Sequence, residues 1–279
     1  MFIGAMLPQF HSLSGLVQPL LMVMLFFAFM DVDFKPSAFP RSVAAVSTAN
    51  IIIAFVGYTL LAPFDTTLAI SAFMTAIAPT AIAAPVIIGF LHGKVEYVVA
   101  SVLLTNLANA IIIPLALPSL IGKQIHITVW DVLQPVLFVM FVPLILAQLA
   151  VRTPALIQAV IRRAKAFSFP IWLANLFVIS ANASDFLRNR STDSLSTLGS
   201  IALVSLVICV INFSLGAFLG GKLYRQEASQ SLGQKNLSFV IWISLTFINP
   251  LVALGPMFYI LYHHLFNSWS IYQFEKNAR

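Results

Sequence analysis

A lysine stands in the middle of a strongly apolar part of the sequence. Lys235 belongs to the polar run Ser231-Leu232-Gly233-Gln234-Lys235-Asn236, in a chain that is 60% hydrophobic and only 9% charged. An ionisable side chain at membrane depth is costly and marks a substrate or ion pathway by default. The amine could anchor an anionic substrate, or it could stand in for a bound cation and exchange its proton during a cycle. The remaining interpretation is a snorkelling lysine whose amine reaches the membrane surface.

Other polar side chains occur at comparable depth in the apolar segments. They are Asn50, Thr105, Asn106, Asn109, Asn212, Asn236, His263 and His264. For each one alone, a hydrogen bond between helices is the commoner role. Together with Lys235 and Ser231 they indicate a wet cavity for a substrate or a coupling ion. Neighbouring residues on a helix point about 100° apart, so His263 and His264 are not expected to face one ligand, although either could respond to protons.

Several kinds of chemistry are disfavoured by the same residues. The sequence has no convergent cluster of His, Cys or carboxylate side chains, so neither a metal site nor a cofactor is predicted. The acidic residues fall at predicted helix ends or in loops, which argues against paired-carboxylate catalysis. Lys235 with Ser231 or Ser238 is a weak candidate for an intramembrane hydrolase, which needs a nucleophile, a base and an orienting group. We therefore expect a protein that is not an enzyme.

The elements that position these residues are apolar segments long enough to cross a bilayer. The mean hydropathy is +0.96 and the chain contains 24 Phe, which is far too apolar for a soluble globule. Since a crossing needs about 20 apolar residues, the sequence predicts seven uninterrupted helices and two interrupted ones, nine crossings in all. The uninterrupted stretches are 13–31, 42–62, 95–121, 128–150, 168–184, 197–221 and 250–272, and the interrupted ones are 66–92 and 226–248.

The basic residues predict the orientation, because Lys and Arg collect on the cytoplasmic side of short loops. With the 32–41 loop inside, only Lys123, Arg188 and Arg190 lie outside. The inside set is Lys35, Arg41, Lys94, Arg152, Arg162, Arg163, Lys165, Lys222, Arg225, Lys276 and Arg279. The expected location is the plasma (inner) membrane, with the amino terminus outside and the carboxy terminus cytoplasmic. The basic residues of the cytoplasmic loops then account for the net charge of +6, and a nucleic-acid partner is not needed to explain it.

The two interrupted segments predict the mechanism. Pro79 and Pro85 predict a helix break in the first half of the chain, which includes Thr80, and the polar run around Lys235, which includes Gly233, predicts one in the second half. Paired, interrupted segments at matching positions of two halves indicate a transport site near the midplane of an inverted-repeat transporter. Ordinary proline kinks are the alternative interpretation of the first segment.

The sequence also resembles the bile acid:sodium symporter family over nearly its whole length. The run Leu20–Met30 followed by Asp33-Phe34-Lys35 and Pro40-Arg41 looks like the first characteristic block of that family. Its Pro-Gly-Gly-Thr-Ala-Ser-Asn block is matched at Pro79, at Ala83 and in the apolar frame. Further positions that align with family motifs are Asn212, Gly233, Asn236 and Tyr262-His263-His264.

The resemblance implies a panel domain and a core domain with two broken helices that cross in the core. The panel helices would be about 13–31, 128–150 and 168–184, and the core helices about 42–121 and 197–272, within one transporter domain, 1–279. The family has ten helices, and the resemblance implies nine here, without the first. Members couple organic anion uptake to sodium held by oxygen ligands near the crossing.

The departures from the family concern the sodium ligands. Family ligands fall on Ala84, Pro85, Ser231, Lys235 and Asn50, and the next helix offers Val98 and Val102, or Asn106 after a shift of one turn. Most ligand oxygens are therefore missing, and an ammonium group replaces one of them.

The sequence thus predicts a secondary transporter of a small organic anion, bile-acid-like or another carboxylate, that works by alternating access. It is expected not to use sodium at the usual sites, and it would be proton-coupled or facilitative. Two alternatives stay open, namely a sodium symporter with a rearranged site (Asn50, Asn106, Asn236) and a membrane sensor or intramembrane enzyme on a transporter fold. The partners are the substrate and the lipid bilayer.

Overall fold

The computed structural model describes residues 2–30, 40–122, 127–189 and 195–278, and its regular elements are helices. The α-helices are α1 (Phe2–Met6), α2 (Val17–Phe29), α3 (Arg41–Leu61), α4 (Thr66–Ile77), α5 (Ala84–Phe90), α6 (Val95–Ile121), α7 (Val129–Ala150), α8 (Ala155–Ala164), α9 (Ser168–Asn189), α10 (Leu195–Gly220), α11 (Arg225–Gly233), α12 (Leu237–Phe247) and α13 (Pro250–Ala278). Pro8–Leu16 and Lys165–Phe167 form 3-10 turns. The family-like positions Asp33, Phe34 and Lys35, and the loop charges Lys123, Arg190 and Arg279, lie outside the described residues.

The protein is a helical membrane protein. Within the described ranges, six helical stretches are long and apolar enough to cross a bilayer: Pro8–Phe29, Arg41–Leu61, Val95–Ile121, Val129–Ala150, Ala155–Asn189 and Leu195–Gly220. These stretches agree with six of the predicted uninterrupted segments. The seventh, around 250–272, is helical as part of α13 but does not belong to the six. The count of nine crossings therefore stays a prediction.

Both predicted interruptions are present as breaks between short helices. The first lies between α4 and α5, where Pro79 is in the break and Pro85 is in the first turn of α5. A proline is tolerated there because the first amides of a helix lack an intrahelical partner anyway. The second break separates α11 from α12 at 234–236. The prediction of two interrupted segments is confirmed, and the simple proline kink is wrong for the first one.

The described residues fall into two compact units. The first takes in the described parts of Met1–Lys35, Ile113–Thr192 and Thr246–Pro250. In it, α9 packs along α1 and Pro8–Leu16, and the Ser184 hydroxyl donates to the Ala5 carbonyl at 2.7 Å. The three stretches predicted as panel helices fall within this unit.

The second unit takes in the described parts of Pro36–Ile112, Asp193–Leu245 and Leu251–Arg279. It contains both helix breaks and every residue proposed for the site. Its apolar packing joins α3, α5, α6 and α11, with Val46, Ile88, Val98 and Leu232 at the centre. The two short helices α5 and α11 are therefore held by one hydrophobic cluster.

Close packing of α10 on α11 depends on Gly216. A Cβ placed there would lie 2.5 Å from the Ala228 carbonyl oxygen and 2.8 Å from Ser229 Cα. These are backbone atoms, which cannot turn aside as a side-chain end can. Glycine is required at position 216 because the backbone of α11 is so close. Its own backbone has ordinary helical geometry, which any residue could adopt.

We expect Gly216→Ala to lower the free energy of unfolding by about 1–3 kcal/mol, the usual cost of overpacking. Gly199→Ala is the matched control, because Gly199 lies in the same helix with nothing within 4 Å of the added Cβ. It should raise stability by about 0.5–1 kcal/mol through helix propensity. Unfolding in mixed micelles measures both, and equal effects of the two substitutions would contradict the packing argument.

Candidate functional site at two paired helix breaks

The two helix breaks are hydrogen bonded to each other through their backbones. The Ala81 amide donates to the Gln234 carbonyl at 2.8 Å, and the Asn236 amide donates to the Pro79 carbonyl at 2.7 Å. These bonds make Thr80 and Lys235 an isolated antiparallel bridge. Backbone that leaves helical geometry inside a membrane must find protein partners, because lipid offers none. Each break here supplies partners to the other.

The end of α4 is completed by side chains from neighbouring helices. The Ile77 carbonyl accepts from Asn109 Nδ2 at 2.6 Å and from Asn50 Nδ2 at 3.2 Å. The last carbonyls of a helix have no intrahelical donor and carry its negative partial charge. Asn50 and Asn109, which the sequence analysis placed deep in the membrane, are thus both bound to the carboxyl end of α4.

Thr80 uses all of its polar groups at the centre of the first break. Its amide donates to Thr105 Oγ1 at 3.0 Å, and its carbonyl accepts from Asn106 Nδ2 at 3.2 Å. Its hydroxyl donates to the Ser231 carbonyl at 2.6 Å. Thr80 therefore connects α6 to the second break, a role that its place in the sequence did not reveal.

The Lys235 amine lies at the carboxyl end of α4. It donates to the Ala76 carbonyl at 2.8 Å and to Asn50 Oδ1, and the residue is only 3% exposed. Within the described part of the chain, no carboxylate comes within 4.0 Å of this amine. A positive group is stabilised beside the negative end of a helix. The snorkelling interpretation is wrong, because the amine is enclosed by protein and bonded to it.

The second break is bound by a tyrosine that the sequence analysis did not select. The Tyr259 hydroxyl donates to the Gly233 carbonyl at 2.7 Å and accepts from Asn212 Nδ2 at 3.1 Å. Because the single hydroxyl proton goes to the carbonyl, the amide orientation of Asn212 is determined, and its Oδ1 points away from this contact. Asn212 is thus joined to the break through Tyr259.

One face of α13 carries a buried polar row opposite the second break. Tyr259, His263 and Asn267 recur at intervals of four residues and so share a face. The His263 ring meets Tyr259 edge to face at 5.8 Å, and Asn267 Nδ2 donates to Gln234 Oε1. His264 is exposed and points elsewhere, as expected for a neighbour on a helix.

Several buried polar atoms of this unit have no hydrogen-bond partner within the described protein. They are Asn106 Oδ1, Asn109 Oδ1, Asn212 Oδ1, Gln230 Oε1, Ser231 Oγ, His263 Nδ1 and Asn267 Oδ1. For Asn106, Asn109 and Asn212 the amide nitrogen is engaged and the oxygen is left over. Buried polar groups in native proteins nearly always have hydrogen-bond partners. These unpaired side-chain atoms are therefore available to bind water or a ligand.

The structure brings most of the proposed residues to the paired breaks, but in unequal roles. Asn50, Asn106, Lys235, Pro79 and Thr80 act through the contacts above, whereas Asn236 contributes its backbone amide. Sequence reasoning missed the Ala76 and Ile77 carbonyls, which have no side-chain signal. It also missed Tyr259, Gln234 and Asn267. The four-residue spacing of Tyr259, His263 and Asn267 was the clue that could have found Tyr259 and Asn267.

A comparison with models of known protein families and a comparison with curated protein sequences each found no match.

Proposed function

We propose that this protein is a secondary transporter that moves a small organic anion by alternating access. The resemblance to the bile acid:sodium symporters, with nine crossings and an inverted repeat, is part of this proposal. The amino terminus would be outside and the carboxy terminus cytoplasmic, in line with the basic loops. The proposal assigns no catalytic step to the chain.

The observation that carries the proposal is the backbone pairing of two helix breaks around a buried lysine. Transporters place substrate and ion sites where discontinuous helices meet, because half-helix ends offer partial charges there. The Thr80–Lys235 bridge is such a meeting point. The unpartnered oxygens around it support a site that takes polar molecules.

Among the roles considered for Lys235, its contacts favour a cation stand-in. The amine binds a helix-end carbonyl and an amide oxygen, which are the kinds of oxygen that bind sodium in proteins. A substrate anchor would instead direct its protons toward a cavity. In this proposal Lys235 supplies the positive charge that sodium supplies elsewhere, and sodium is not needed at this position.

Coupling then depends on whether Lys235 keeps its proton through the cycle. A neutral amine would weaken the attraction between Lys235 and the carboxyl end of α4. A protein whose lysine cycles in this way would couple uptake to protons, and one whose lysine stays charged would be facilitative. The rearranged sodium site remains the competing proposal, because Asn106 Oδ1 has no hydrogen-bond partner among the residues that the structure describes.

The deciding experiment is uptake of radiolabelled organic anions into proteoliposomes across imposed sodium and pH gradients. We expect saturable uptake by the wild-type protein that ignores sodium, and loss of that uptake in Lys235→Ala when sodium is absent. Lys222→Ala, at an exposed position in the same unit, is the control and should keep its activity. Uptake that is driven by sodium in the wild-type protein and unchanged in Lys235→Ala would favour the rearranged site, and no uptake of any anion would argue against transport.

A further inference from the structure

The connection between α7 and α9 contains a helix whose apolar side is not covered by the described part of the chain. In α8 the exposed fractions of Leu156, Val160 and Ile157 are 80%, 62% and 48%, and no residue of this helix is buried. At 100° per residue these three share one side with Ile161. The helix thus presents an unpartnered apolar face.

The opposite side of α8 is basic and attached to the end of α7. Gln158 and Arg162 lie on it, and Arg163 lies at its border with the apolar side, about 20° around the helix from Leu156. Both arginines are exposed. Gln158 Nε2 donates to the Val151 carbonyl at 2.7 Å and to the Thr153 carbonyl at 2.9 Å, which holds the polar side toward the chain that precedes the helix.

The charge around α8 has one sign. Four basic residues lie within a short stretch, and the sequence has no acidic residue between Asp131 and Asp185. The four are Arg152, Arg162, Arg163 and Lys165. An amphipathic helix with a basic polar face and an exposed apolar face is suited to the surface of an anionic bilayer.

We propose that α8 lies in the membrane interface and binds the headgroups of anionic phospholipids. Leu156, Ile157 and Val160 would enter the acyl boundary, and Arg162 and Arg163 would contact phosphate groups. The large exposed side chains that follow, Phe167 and Phe169, would extend the apolar contact. This inference depends on the membrane location of the chain and not on the proposed transport, so each can fail alone.

Membrane depth tests the placement directly. Spin labels at Val160→Cys and Ala159→Cys, in a Cys209→Ala background that removes the only native cysteine, report the two sides of α8 in phosphatidylglycerol vesicles. We expect the label at 160 to collide more with oxygen and the label at 159 more with a water-soluble nickel chelate. Shielding of the label at 160 from both reagents, as a partner protein or a second copy would cause, would overturn the proposal.

Lipid selectivity tests the headgroup contact. Native mass spectrometry would compare retained phosphatidylglycerol with retained phosphatidylcholine for the wild type and for Arg162→Gln/Arg163→Gln. We expect the preference for the anionic lipid to fall about fivefold per charge removed, and on the order of 25-fold for the pair. Lys222→Gln/Arg225→Gln removes two exposed charges elsewhere and should change it little. An unchanged preference in the α8 variant, or an equal loss in the control, would overturn the proposal. If the α8 variant does not fold, the depth measurement still decides.

Discussion

Replacing Lys235 with alanine should make the stability of this protein depend on sodium, which the wild-type protein should not show. The substitution leaves the Ala76 carbonyl and Asn50 Oδ1 in place at the negative end of α4 but removes the amine that binds them. Each acceptor left unpaired costs about 1–3 kcal/mol. A sodium ion with associated water could then occupy the position of the ammonium group.

The size of the expected effect follows from linkage. A ligand present at 100 times its dissociation constant stabilises the form that binds it by about 2.7 kcal/mol. The variant should therefore be less stable than the wild type in choline chloride and recover much of the loss in sodium chloride. Thermal unfolding of the two proteins in both salts measures this difference.

Lys222→Ala is the control for the loss of a positive charge, since Lys222 is exposed and should show no response specific to sodium. A wild-type protein that is itself stabilised by sodium would mean that a cation site exists beside the lysine. A Lys235→Ala variant with no sodium response would mean that the amine does not occupy a cation position. Either result would remove the main support for the cation stand-in.

Replacing Gly233 with alanine should destabilise the second break by about 2–5 kcal/mol, through overpacking and a displaced hydrogen bond. An added Cβ would overlap Phe213, whose ring is stacked on Phe266 with centroids 3.8 Å apart. The ring therefore has little room to retreat. Moving the backbone instead would disturb the Gly233 carbonyl that accepts from Tyr259.

A double-mutant cycle with Phe213→Ala separates steric overlap from a simple change in helix propensity. In the Phe213→Ala background the added methyl group meets no ring, so Gly233→Ala should cost little, with a coupling energy of about 1–3 kcal/mol. Gly89→Ala, in the short helix after the other break, meets nothing within 4 Å and serves as the control. Additive effects in the cycle would contradict the overlap, as would a control that is equally damaging.

Local composition determined the helical elements and their interruptions. Apolar length predicted 95–121 and 128–150 to within one residue of α6 and α7. Proline chemistry and a polar run predicted the two breaks, because a missing amide or a charged group disturbs a membrane helix where it stands. The membrane location follows from the same composition and needs no tertiary contact.

The tertiary structure alone decided what binds the breaks. Lys235 meets Asn50 across 185 positions of sequence, and Asn109 meets Ile77 across 32. Several acceptors are backbone carbonyls, which every residue carries, so no side-chain pattern marks them. Which orphan carbonyl meets which donor depends on how the helices pack, and that depends on close contacts such as those at Gly216 and Gly233. For this reason the sequence could indicate a polar site around Lys235, while the position of its amine at the end of α4 emerged only from the fold.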